Sequence, residues 1–489
     1  MGGSGFLTDL GKYIPGRAIP AITRIVAVGI LSRILPIGGY GLYSLILITS
    51  SAVSSLFLAW IHPSVIRYSP IHMNNIHKLD SSFLNTVLIL TCCVGTVAGL
   101  LSWIAIQSGA IDQFGGALHG VTFGGLVLSE AILGVGLTIL RSRRKAGVFS
   151  VLSIWQACAG LGFGVLFAAS AGLQVEGLVL GVILANVVGG AVCVRYVSTG
   201  TRLSLGRFDT GIAIGLLKYG LPLVPAAFLG WLLNFSDRWV IAWSRGAKEV
   251  GIYSASYAVA NGAIQMVVGI LSLAAGPVAI AIWEKHGLQA AQRAATQITR
   301  CFLLICIPAV IGLATLANII GGTMLPPEYR EGVIIMPWVA LAGLLHGLQL
   351  QFQIGILYAK RTYAAAIGVA LAGIANVAGN LVLIPRFGYR AAAWTTAVSY
   401  LALLAYMVIV ARRWFTWRFP VASAARAIVS SSVMMGVLLW SQPALSVTPL
   451  PRLLIGTITG MLSYGLCLVL FGEVTRTDLR AVLSRERWR

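Results

Sequence analysis

Long apolar segments alternate with short polar ones along the whole chain. A membrane-spanning helix needs about 20 mainly apolar residues, and fourteen segments come close to that length. Their connections are short, the longest being residues 67–82, residues 198–215 and a tail that begins at Glu473. The pattern predicts an all-α, polytopic membrane protein with about 14 transmembrane helices. The predicted spans are 17–36, 41–62, 83–107, 118–140, 147–170, 174–197, 216–244, 249–283, 298–320, 332–358, 363–385, 390–411, 425–442 and 452–472.

Basic residues are concentrated in alternate connections. If the N-terminus is cytoplasmic, 26 of the 35 lysines and arginines lie in cytoplasmic segments and seven in external ones. Arg24 and Arg238 lie inside predicted helices. Cytoplasmic loops of membrane proteins carry the excess of Lys and Arg. The distribution therefore predicts that both termini are cytoplasmic, which agrees with an even number of spans.

Composition supports a membrane location. Hydrophobic residues make up 58% of the 489 residues and charged ones only 10%, against roughly 25% charged in soluble domains. The net charge of +21 is spread over short loops, so no nucleic-acid-binding face is expected. The seven cysteines lie in apolar segments, which favours small buried side chains over metal or disulfide sites. The first span lacks a small-residue cleavage pattern and is expected to remain as an anchor.

Two stretches of the chain repeat each other. YGLYSLILITSSAVSSL (Tyr40–Leu56) aligns without gaps with VGIYSASYAVANGAIQM (Val250–Met266), an offset of 210 residues. ILRSRRKAG from Ile139 aligns with ILYAKRTYA from Ile356 at an offset of 217. Similar offsets with the same topology predict two parallel six-helix lobes, as in two-lobed transporters. The predicted domains are an N-terminal lobe (1–205), a C-terminal lobe (206–412) and a terminal helix pair with a basic cytoplasmic tail (413–489).

Several short motifs occur in the order and spacing of one known family. The most specific is YGLPLVPAAFLGWLLNFSDRWVI (Tyr219–Ile241) followed by VGIYSASY (Val250–Tyr257). The others are RILPIGGYGLYSL from Arg33, HPSVIRYSP from His62, PPEYREGVIIMPWVA from Pro326, LYAKRT from Leu357 and NVAGNLVLIPRFGYRAAAWTT from Asn376. Over residues 20–412 the chain resembles the polysaccharide flippases, which handle O-antigen and exopolysaccharide repeat units. They belong to the multidrug/oligosaccharidyl-lipid/polysaccharide exporter superfamily.

The resemblance implies a transporter rather than an enzyme. Such a protein would flip polyprenyl-diphosphate-linked oligosaccharide repeat units from the cytoplasmic to the outer leaflet of the bacterial inner membrane. The implied fold is two six-helix lobes around a central cavity that works by alternating access. Membrane lipids are expected partners, and a polysaccharide polymerase and export machinery are open as further partners. No cofactor is expected, and coupling to H⁺ or Na⁺ stays open because the first helix carries Arg24 and few acids.

Two other functions remain as alternatives. A multidrug or cation antiporter of the same fold should line its cavity with acids, whereas this chain places arginines there as well. A membrane polymerase or glycosyltransferase should have a large outer loop or a soluble domain with an acidic metal-binding motif. Neither occurs, and HExxH, GxSxG and P-loop patterns are absent from the sequence.

Charged residues inside predicted helices are the first candidates for the transport site. Arg24 lies about 10 Å inside the first span at 1.5 Å per residue, where it could grip a diphosphate or extend to the headgroups. Asp237 and Arg238 are adjacent, so one is expected to face the cavity and the other a neighbouring helix or the outer interface. They could equally form a structural ion pair. Glu130 is the main candidate for ion coupling, with Asp237 as a second, although a structural role for Glu130 is favoured.

Polar residues complete the predicted site. His346, Gln349 and Gln353 form one stripe on the tenth helix, open to sugar binding or to interhelical hydrogen bonds. For Asn376 and Asn380 the structural interpretation is favoured. The predicted substrate-binding residues are Arg24, Arg33, Asn234, Asp237, Arg238, Asn261, His346, Gln349 and Gln353. No catalytic residue or metal site is predicted.

Overall fold

The computed structural model describes residues 14–73, 79–109, 119–170, 172–199, 204–359, 361–442 and 448–473. Most of the predicted basic tail, residues 474–489, lies outside the described residues. The described chain forms fifteen α-helices, with three short 3₁₀-helices at Leu205–Arg207, Leu221–Leu223 and Pro327–Ile335. The α-helices are α1 (Pro15–Ile34), α2 (Ile37–Phe57), α3 (Ile61–Tyr68), α4 (Ser81–Gln107), α5 (Gly120–Ser142), α6 (Ala146–Ser170), α7 (Gln174–Val197), α8 (Thr210–Gly220), α9 (Val224–Arg245), α10 (Ala247–Met324), α11 (Met336–Tyr358), α12 (Thr362–Phe387), α13 (Tyr389–Ala411), α14 (Val421–Ser441) and α15 (Pro449–Leu470).

Twelve segments of the described chain are long and apolar enough to cross a membrane. Together with the absence of named strands from the described residues, this confirms the predicted all-α, polytopic membrane protein. Two of the fourteen predicted spans, 17–36 and 249–283, are helical but are not among the twelve. The first corresponds to α1, whose three arginines lower its hydropathy.

Helix α10 is long and contains one break. Gly287 has a φ of 76°, in the left-handed region that a residue without Cβ adopts at little cost. The sequence predicts that the eighth span continues beyond the membrane, and the helix runs on to this glycine. The following part, Gly287–Met324, is apolar enough to span a membrane by itself.

Contacts divide the chain into two compact units. The first unit holds the described residues up to Gly251, and the second holds those from Ile252 onward. Helices α8 and α9 belong to the first unit: Trp231 Nε1 donates to Ser51 Oγ in α2 at 2.8 Å, and Ser64 Oγ in α3 donates to the Leu216 carbonyl at 2.8 Å. The predicted lobe boundary at residues 205/206 rests on the sequence repeat rather than on contacts, and it stays a prediction.

Gly41 and Gly251, at the starts of the two repeated stretches, lie at a close contact within the first unit. A Cβ added to Gly41 would lie 2.0 Å from the Ala247 carbonyl oxygen, and one added to Gly251 would lie 2.2 Å from the Ile37 carbonyl oxygen. Gly41 and Gly251 are 210 residues apart, as are Ile37 and Ala247. Equivalent residues of the two copies therefore pack on each other in exchanged roles, at a distance that only glycine permits.

In the second unit, the terminal helix pair is fixed to the second half of α10. Tyr464 Oη in α15 donates to the Leu304 carbonyl at 2.8 Å. Arg300 Nε in α10 and Arg426 Nη1 in α14 each donate to the Glu473 carboxylate at 2.6 Å. Glu473 follows α15 and is only 2% exposed. One buried carboxylate therefore joins α10, α14 and the end of α15.

Candidate functional site

Arg24 lies on α1 and its side chain is exposed. Other residues of α1 make the contacts with the neighbouring helix. It lies nine residues after the start of α1, or about 14 Å along the axis. Helix α1 packs against α6, where Gly16 leaves no room for a Cβ beside Ser150 and Thr23 Oγ1 lies 3.5 Å from Cys158 Sγ. With the described residues, Arg24 makes no side-chain hydrogen bond or ion pair. Its guanidinium is therefore available to an anionic ligand.

Arg24 belongs to a group of basic side chains that the sequence analysis did not predict as a site. Arg17 lies two helical turns earlier on the same face of α1, within electrostatic range of both Arg24 and Arg141. Arg141, in the last turn of α5, is within range of His62 at the start of α3. These four residues are the basic cluster. Arg17 and Arg141, like Arg24, form no ion pair with any residue that the structure describes.

Asp237 and Arg238 form a buried ion pair on α9. The expectation that they point to different surroundings is wrong, because Arg238 Nη1 lies 2.9 Å from Asp237 Oδ1. The long arginine side chain folds back along the helix and also donates to the Asn234 carbonyl at 3.1 Å. Asp237 is 2% exposed and Arg238 is 4% exposed. The geometry fits the structural ion pair that the sequence left open, while a substrate role stays a prediction.

Two further predicted residues bond to their own helices. Arg33 is exposed, and its Nη1 donates to the Gly29 carbonyl in α1. Asn234 Nδ2 donates to the Gly230 carbonyl in α9 at 2.7 Å. For both residues, contact with the substrate stays a prediction.

Glu130 lies midway along α5 and is half-buried. Ser50 Oγ in α2 donates to its carboxylate, and Tyr43 in α2 lies within electrostatic range. Among the described residues no basic side chain forms an ion pair with Glu130. A carboxyl group that accepts a hydroxyl hydrogen bond and forms no ion pair with a described residue can take up a proton or a small cation. The predicted role in ion coupling is chemically possible there and stays a prediction.

His346 lies in a polar and aromatic setting in the second unit. Its Nδ1 is 3.1 Å from Gln265 Nε2 in α10, and its ring centroid is 5.1 Å from that of Tyr400 in α13. The sequence predicts His346 but not its two neighbours, which lie on other helices. A sequence pattern along one helix carries no signal for such partners.

The other predicted polar residues of the second unit differ in burial. Gln349 is 3% exposed, and its Oε1 has no hydrogen-bond partner among the described residues. Gln353, one turn later, and Asn261 in α10 are half-buried. Buried polar atoms are usually paired, so the Gln349 oxygen without a partner in the described chain distinguishes this residue from the other predicted polar residues.

Asn376 and Asn380 have the structural role that the sequence favours. Asn380 Nδ2 donates to Asn376 Oδ1 at 2.9 Å, and Thr395 Oγ1 in α13 donates to Asn380 Oδ1. Both asparagines are buried. They join α12 to α13, which confirms the structural interpretation.

The cysteines form no disulfide, but most of them are not buried. Cys193 and Cys306 are buried, whereas the exposed ones are Cys92, Cys93, Cys158 and Cys301. The expectation of uniform burial is wrong because small apolar residues can also lie on a lipid-facing helix surface. Within the described residues, no three His, Cys, Asp or Glu side chains are placed to hold a metal ion.

Sequence comparison places this architecture in a family. Residues 30–334 match the family described as polysaccharide biosynthesis protein, and the match covers more than half of the chain. The chain belongs to that family. This polysaccharide biosynthesis protein is similar to a Haloferax volcanii protein named "Probable low-salt glycan biosynthesis flippase", with 22% identity over 356 residues, 71% of this chain and 73% of the relative. It is also similar to a Shigella flexneri protein named "Putative O-antigen transporter", with 26% identity over 255 residues, 49% of this chain and 58% of that relative.

Solved structures share the fold of this family member. The lipid II flippase MurJ, in an inward closed conformation, superimposes with a TM-score of 0.74 at 11% identity over 92% of this chain and 97% of that chain. An inward-facing multidrug resistance MATE transporter of the MOP superfamily gives 0.65 at 13% identity over 81% and 95%. At these identities the likeness shows the fold alone. The fold and the family together confirm the resemblance that the motifs predict.

Proposed function

We propose that this polysaccharide biosynthesis protein flips polyprenyl-diphosphate-linked oligosaccharides from the cytoplasmic to the outer leaflet by alternating access. The polar head of such a lipid cannot cross hydrocarbon unaided, because it would lose its hydrogen bonds with water. Cationic side chains would hold the diphosphate, polar side chains would face the sugars and the prenyl chain would stay in lipid. The relatives named as a flippase and as an O-antigen transporter support this function.

The observation that carries the proposal is that Arg24 forms no ion pair with any described residue. A charge near the bilayer centre costs at least about 2.5–3.5 kcal/mol on insertion scales. Inside the membrane such a residue normally pairs with another group, yet Arg24 pairs with none of the described residues. A guanidinium offers a planar fork of donors that matches phosphate oxygens. A lipid diphosphate would supply the missing counter-charge.

Polar residues of the second unit are proposed to contact the sugars. Gln349 has an unused acceptor oxygen for a sugar hydroxyl, and His346 lies against Tyr400. Asn261 and Gln353 are half-buried polar residues with the same capacity. These contacts are neutral, as suits a cargo whose charge lies in its diphosphate.

The location and partners follow from this function. We propose that the protein lies in the bacterial inner membrane with cytoplasmic N- and C-termini, as the distribution of basic residues favours. A polysaccharide polymerase and export machinery would receive the flipped repeat units. The relatives above are named as transporters or flippases, and no catalytic step is proposed.

Ion coupling, if present, is assigned to Glu130 rather than Asp237. Asp237 is paired with Arg238, so its carboxylate already has a counter-charge. Glu130 accepts a hydrogen bond from Ser50 and has no cationic partner in the described chain. The coupling ion would be H⁺ or Na⁺.

A multidrug antiporter is the second candidate function, and the MATE transporters among the structural neighbours favour it. An antiporter for organic cations should present acids to its cargo. The exposed charges of α1 are instead the arginines Arg17, Arg24 and Arg33. Cells lacking the protein should become drug-sensitive under this alternative and keep their surface polysaccharide.

The proposed function is tested by removing the protein from its host. Lipid-linked repeat units should then accumulate in the cytoplasmic leaflet, and surface polysaccharide should disappear. Arg24→Ala should give the same result with a normal amount of protein in the membrane. Arg195→Ala, an exposed arginine at the end of α7, is the matched control and should export normally. Normal export by Arg24→Ala would contradict the assigned role.

A further inference from the structure

The connection between α13 and α14 is rich in arginines and aromatic residues. Residues 412–420 have the sequence RRWFTWRFP, with three arginines and four aromatic side chains in nine positions. A turn at 412–414 is followed by non-helical chain. Both flanking helices are long and apolar enough to cross a membrane, so this segment lies where the hydrocarbon layer ends. Basic and aromatic side chains are enriched at that level of a membrane.

Two polar side chains of α10 hold the backbone of this segment. Gln292 Nε2 donates to the Thr416 carbonyl. Thr296 Oγ1, one helical turn further along α10, lies 2.9 Å from the Arg418 carbonyl oxygen and 3.0 Å from the Gln292 carbonyl oxygen. These two acceptors therefore share its one proton. The contacts fix the backbone on both sides of position 417.

The aromatic side chains of the segment pack on α11. Phe415 is 3% exposed and lies against Gly355, where an added Cβ would be 2.7 Å from the Phe415 Cβ. The Trp417 ring centroid is 5.0 Å from that of Phe352, and the Phe419 ring stacks on Phe352 at 6.5 Å with an interplanar angle of 14°. Every second residue from 415 to 419 is thus anchored on the same helix.

The arginines of the segment point away from these anchors. Arg418, between the two anchored aromatic residues Trp417 and Phe419, is exposed, as are Arg412 and Arg413 in the turn. None of the three forms an ion pair or a side-chain hydrogen bond with a residue that the structure describes. The fold therefore holds three exposed guanidinium groups on one short segment without supplying a counter-charge.

The acids of the second unit whose side chains are described do not supply this charge. Glu473 is bound by Arg300 and Arg426. Glu328 and Glu331 lie in the 3₁₀-helix before α11, at the opposite end of α11 from the segment. Residues 474–489 carry five arginines and only two acids, so their net charge repels the segment. The counter-charge is expected from outside the protein.

We propose that residues 412–420 form a binding site for an anionic phospholipid of the cytoplasmic leaflet. Arg412, Arg413 and Arg418 bind the phosphate oxygens, to which the donors of a guanidinium are well matched. Phe419, 37% exposed, contacts the adjoining acyl chains. Anionic headgroups of the cytoplasmic leaflet attract basic residues next to a transmembrane helix. The choice of leaflet rests on the proposed topology, whereas the lipid site does not rest on transport.

The test is isothermal titration of the full-length protein in a nonionic detergent with dioctanoyl phosphatidylglycerol and, separately, dioctanoyl phosphatidylcholine. The anionic lipid should bind at least about tenfold more tightly than the zwitterionic one. Arg418→Gln should weaken phosphatidylglycerol binding about fivefold, which is what one basic residue near an anionic surface contributes. Arg418→Lys keeps the charge and should restore part of the loss.

A matched pair of triple variants separates the site from general surface charge. Changing Arg412, Arg413 and Arg418 together to Gln should abolish the preference for phosphatidylglycerol. The control changes three exposed cations of the first unit to Gln and should keep that preference. These three are Lys145, Arg195 and Arg207. Gln292→Ala removes no charge but releases the backbone, and it should weaken binding less than Arg418→Gln does.

Several results would overturn the site. Equal loss in the two triple variants would mean that general surface charge attracts the lipid. Phosphatidylglycerol binding that survives the change of all three arginines of the segment would remove the site outright. Binding of glycerol 3-phosphate as tight as that of the lipid would mean that a free phosphate, and not a phospholipid, is recognised.

The site and the proposed function can fail separately. If the variant lacking Arg412, Arg413 and Arg418 binds phosphatidylglycerol normally while the wild-type protein flips lipid-linked oligosaccharide in proteoliposomes, the lipid site fails and the function stands. If that variant loses the lipid but the wild-type protein flips no lipid-linked oligosaccharide, the lipid site stands and the function fails. Thermal melting of each variant checks that it is folded.

Discussion

Two groups of arginines, one in each unit, differ in whether the protein supplies their counter-charge. In the second unit, Arg300 and Arg426 share the buried carboxylate of Glu473, each at 2.6 Å. In the first unit, Arg17, Arg24 and Arg141 form no ion pair with any described residue. Arg300 and Arg426 thus have a counter-charge on the protein, whereas these three arginines have none among the described residues.

The chemistry of Glu473 shows what a satisfied arginine pair requires. Burial alone would raise the pKa of this carboxyl, but hydrogen bonds from Ser423, Arg426 and Arg300 outweigh burial and hold its pKa below the ordinary value. The carboxylate is thus stable in its charged form. Asp237 and Arg238 belong to the same class, because each buried charge has an opposite charge beside it.

The largest loss of stability is expected when the Asp237–Arg238 ion pair is broken. Asp237→Asn should lower the free energy of unfolding by about 3–5 kcal/mol, because it removes the negative charge 2.9 Å from a buried arginine. Thermal melting of the purified protein in detergent measures the loss. Asp237→Asn combined with Arg238→Gln should recover part of it. An Asp237→Asn variant that melts normally but does not transport would show a substrate role instead.

A smaller loss is expected at Glu473, because its arginines are partly exposed. The Arg300 and Arg426 side chains are 32% and 44% exposed, so water can solvate them when the carboxylate is removed. Glu473→Gln should cost about 2 kcal/mol. The matched control is Glu328→Gln, which removes an exposed acid and should melt like the wild-type protein. Equal melting of the two variants would mean that Glu473 does not fix the terminal helix pair.

The pH dependence of the Glu473 contribution follows from the lowered pKa. A carboxyl whose folded pKa is depressed stabilises the protein above its unfolded pKa of about 4.3 and loses that effect as the pH falls through the folded pKa. The melting difference between wild type and Glu473→Gln should therefore stay constant from pH 8 to pH 5 (about the range above that unfolded value) and shrink at lower pH. A difference that shrinks already between pH 8 and pH 6 would contradict this assignment.

The smallest effect on stability is expected in the basic cluster. Arg17→Gln and Arg141→Gln should each change the free energy of unfolding by less than about 0.5 kcal/mol, or raise it, because each removes a repelling charge. Chemical denaturation or thermal melting checks this. A loss comparable to that of Glu473→Gln would show that these arginines have a structural partner and would remove the difference between the two groups.

The helices of this protein could be predicted from its sequence, because about 20 apolar residues in a row leave few alternatives. The motif around Asp237 also identified the family. The sequence repeat aligns Gly41 with Gly251, but it does not predict that the two glycines pack close to each other's helix. Each of these predictions uses a single segment of the sequence, or the similarity between two segments.

Partners across helices could not be predicted. Glu473 appears in the sequence only as the start of a basic tail, and Arg141 only as one of many cytoplasmic basic residues. Hydropathy gives the length of a helix but not the neighbour that each face contacts. Arg238 shows a second limit, since a long flexible side chain can reach a residue that the helical angle places on another face.

The central proposal is that Arg17, Arg24 and Arg141 bind a ligand and do not stabilise the fold. The most direct test is thermal melting of the wild-type protein and the variant with Arg17, Arg24 and Arg141 all changed to Gln, with and without geranyl diphosphate. Without ligand, the variant should melt at or above the wild-type temperature. Geranyl diphosphate should raise the wild-type melting temperature and leave that of the variant unchanged. A variant that melts well below the wild type without ligand, or that responds to the ligand as the wild type does, would contradict the claim.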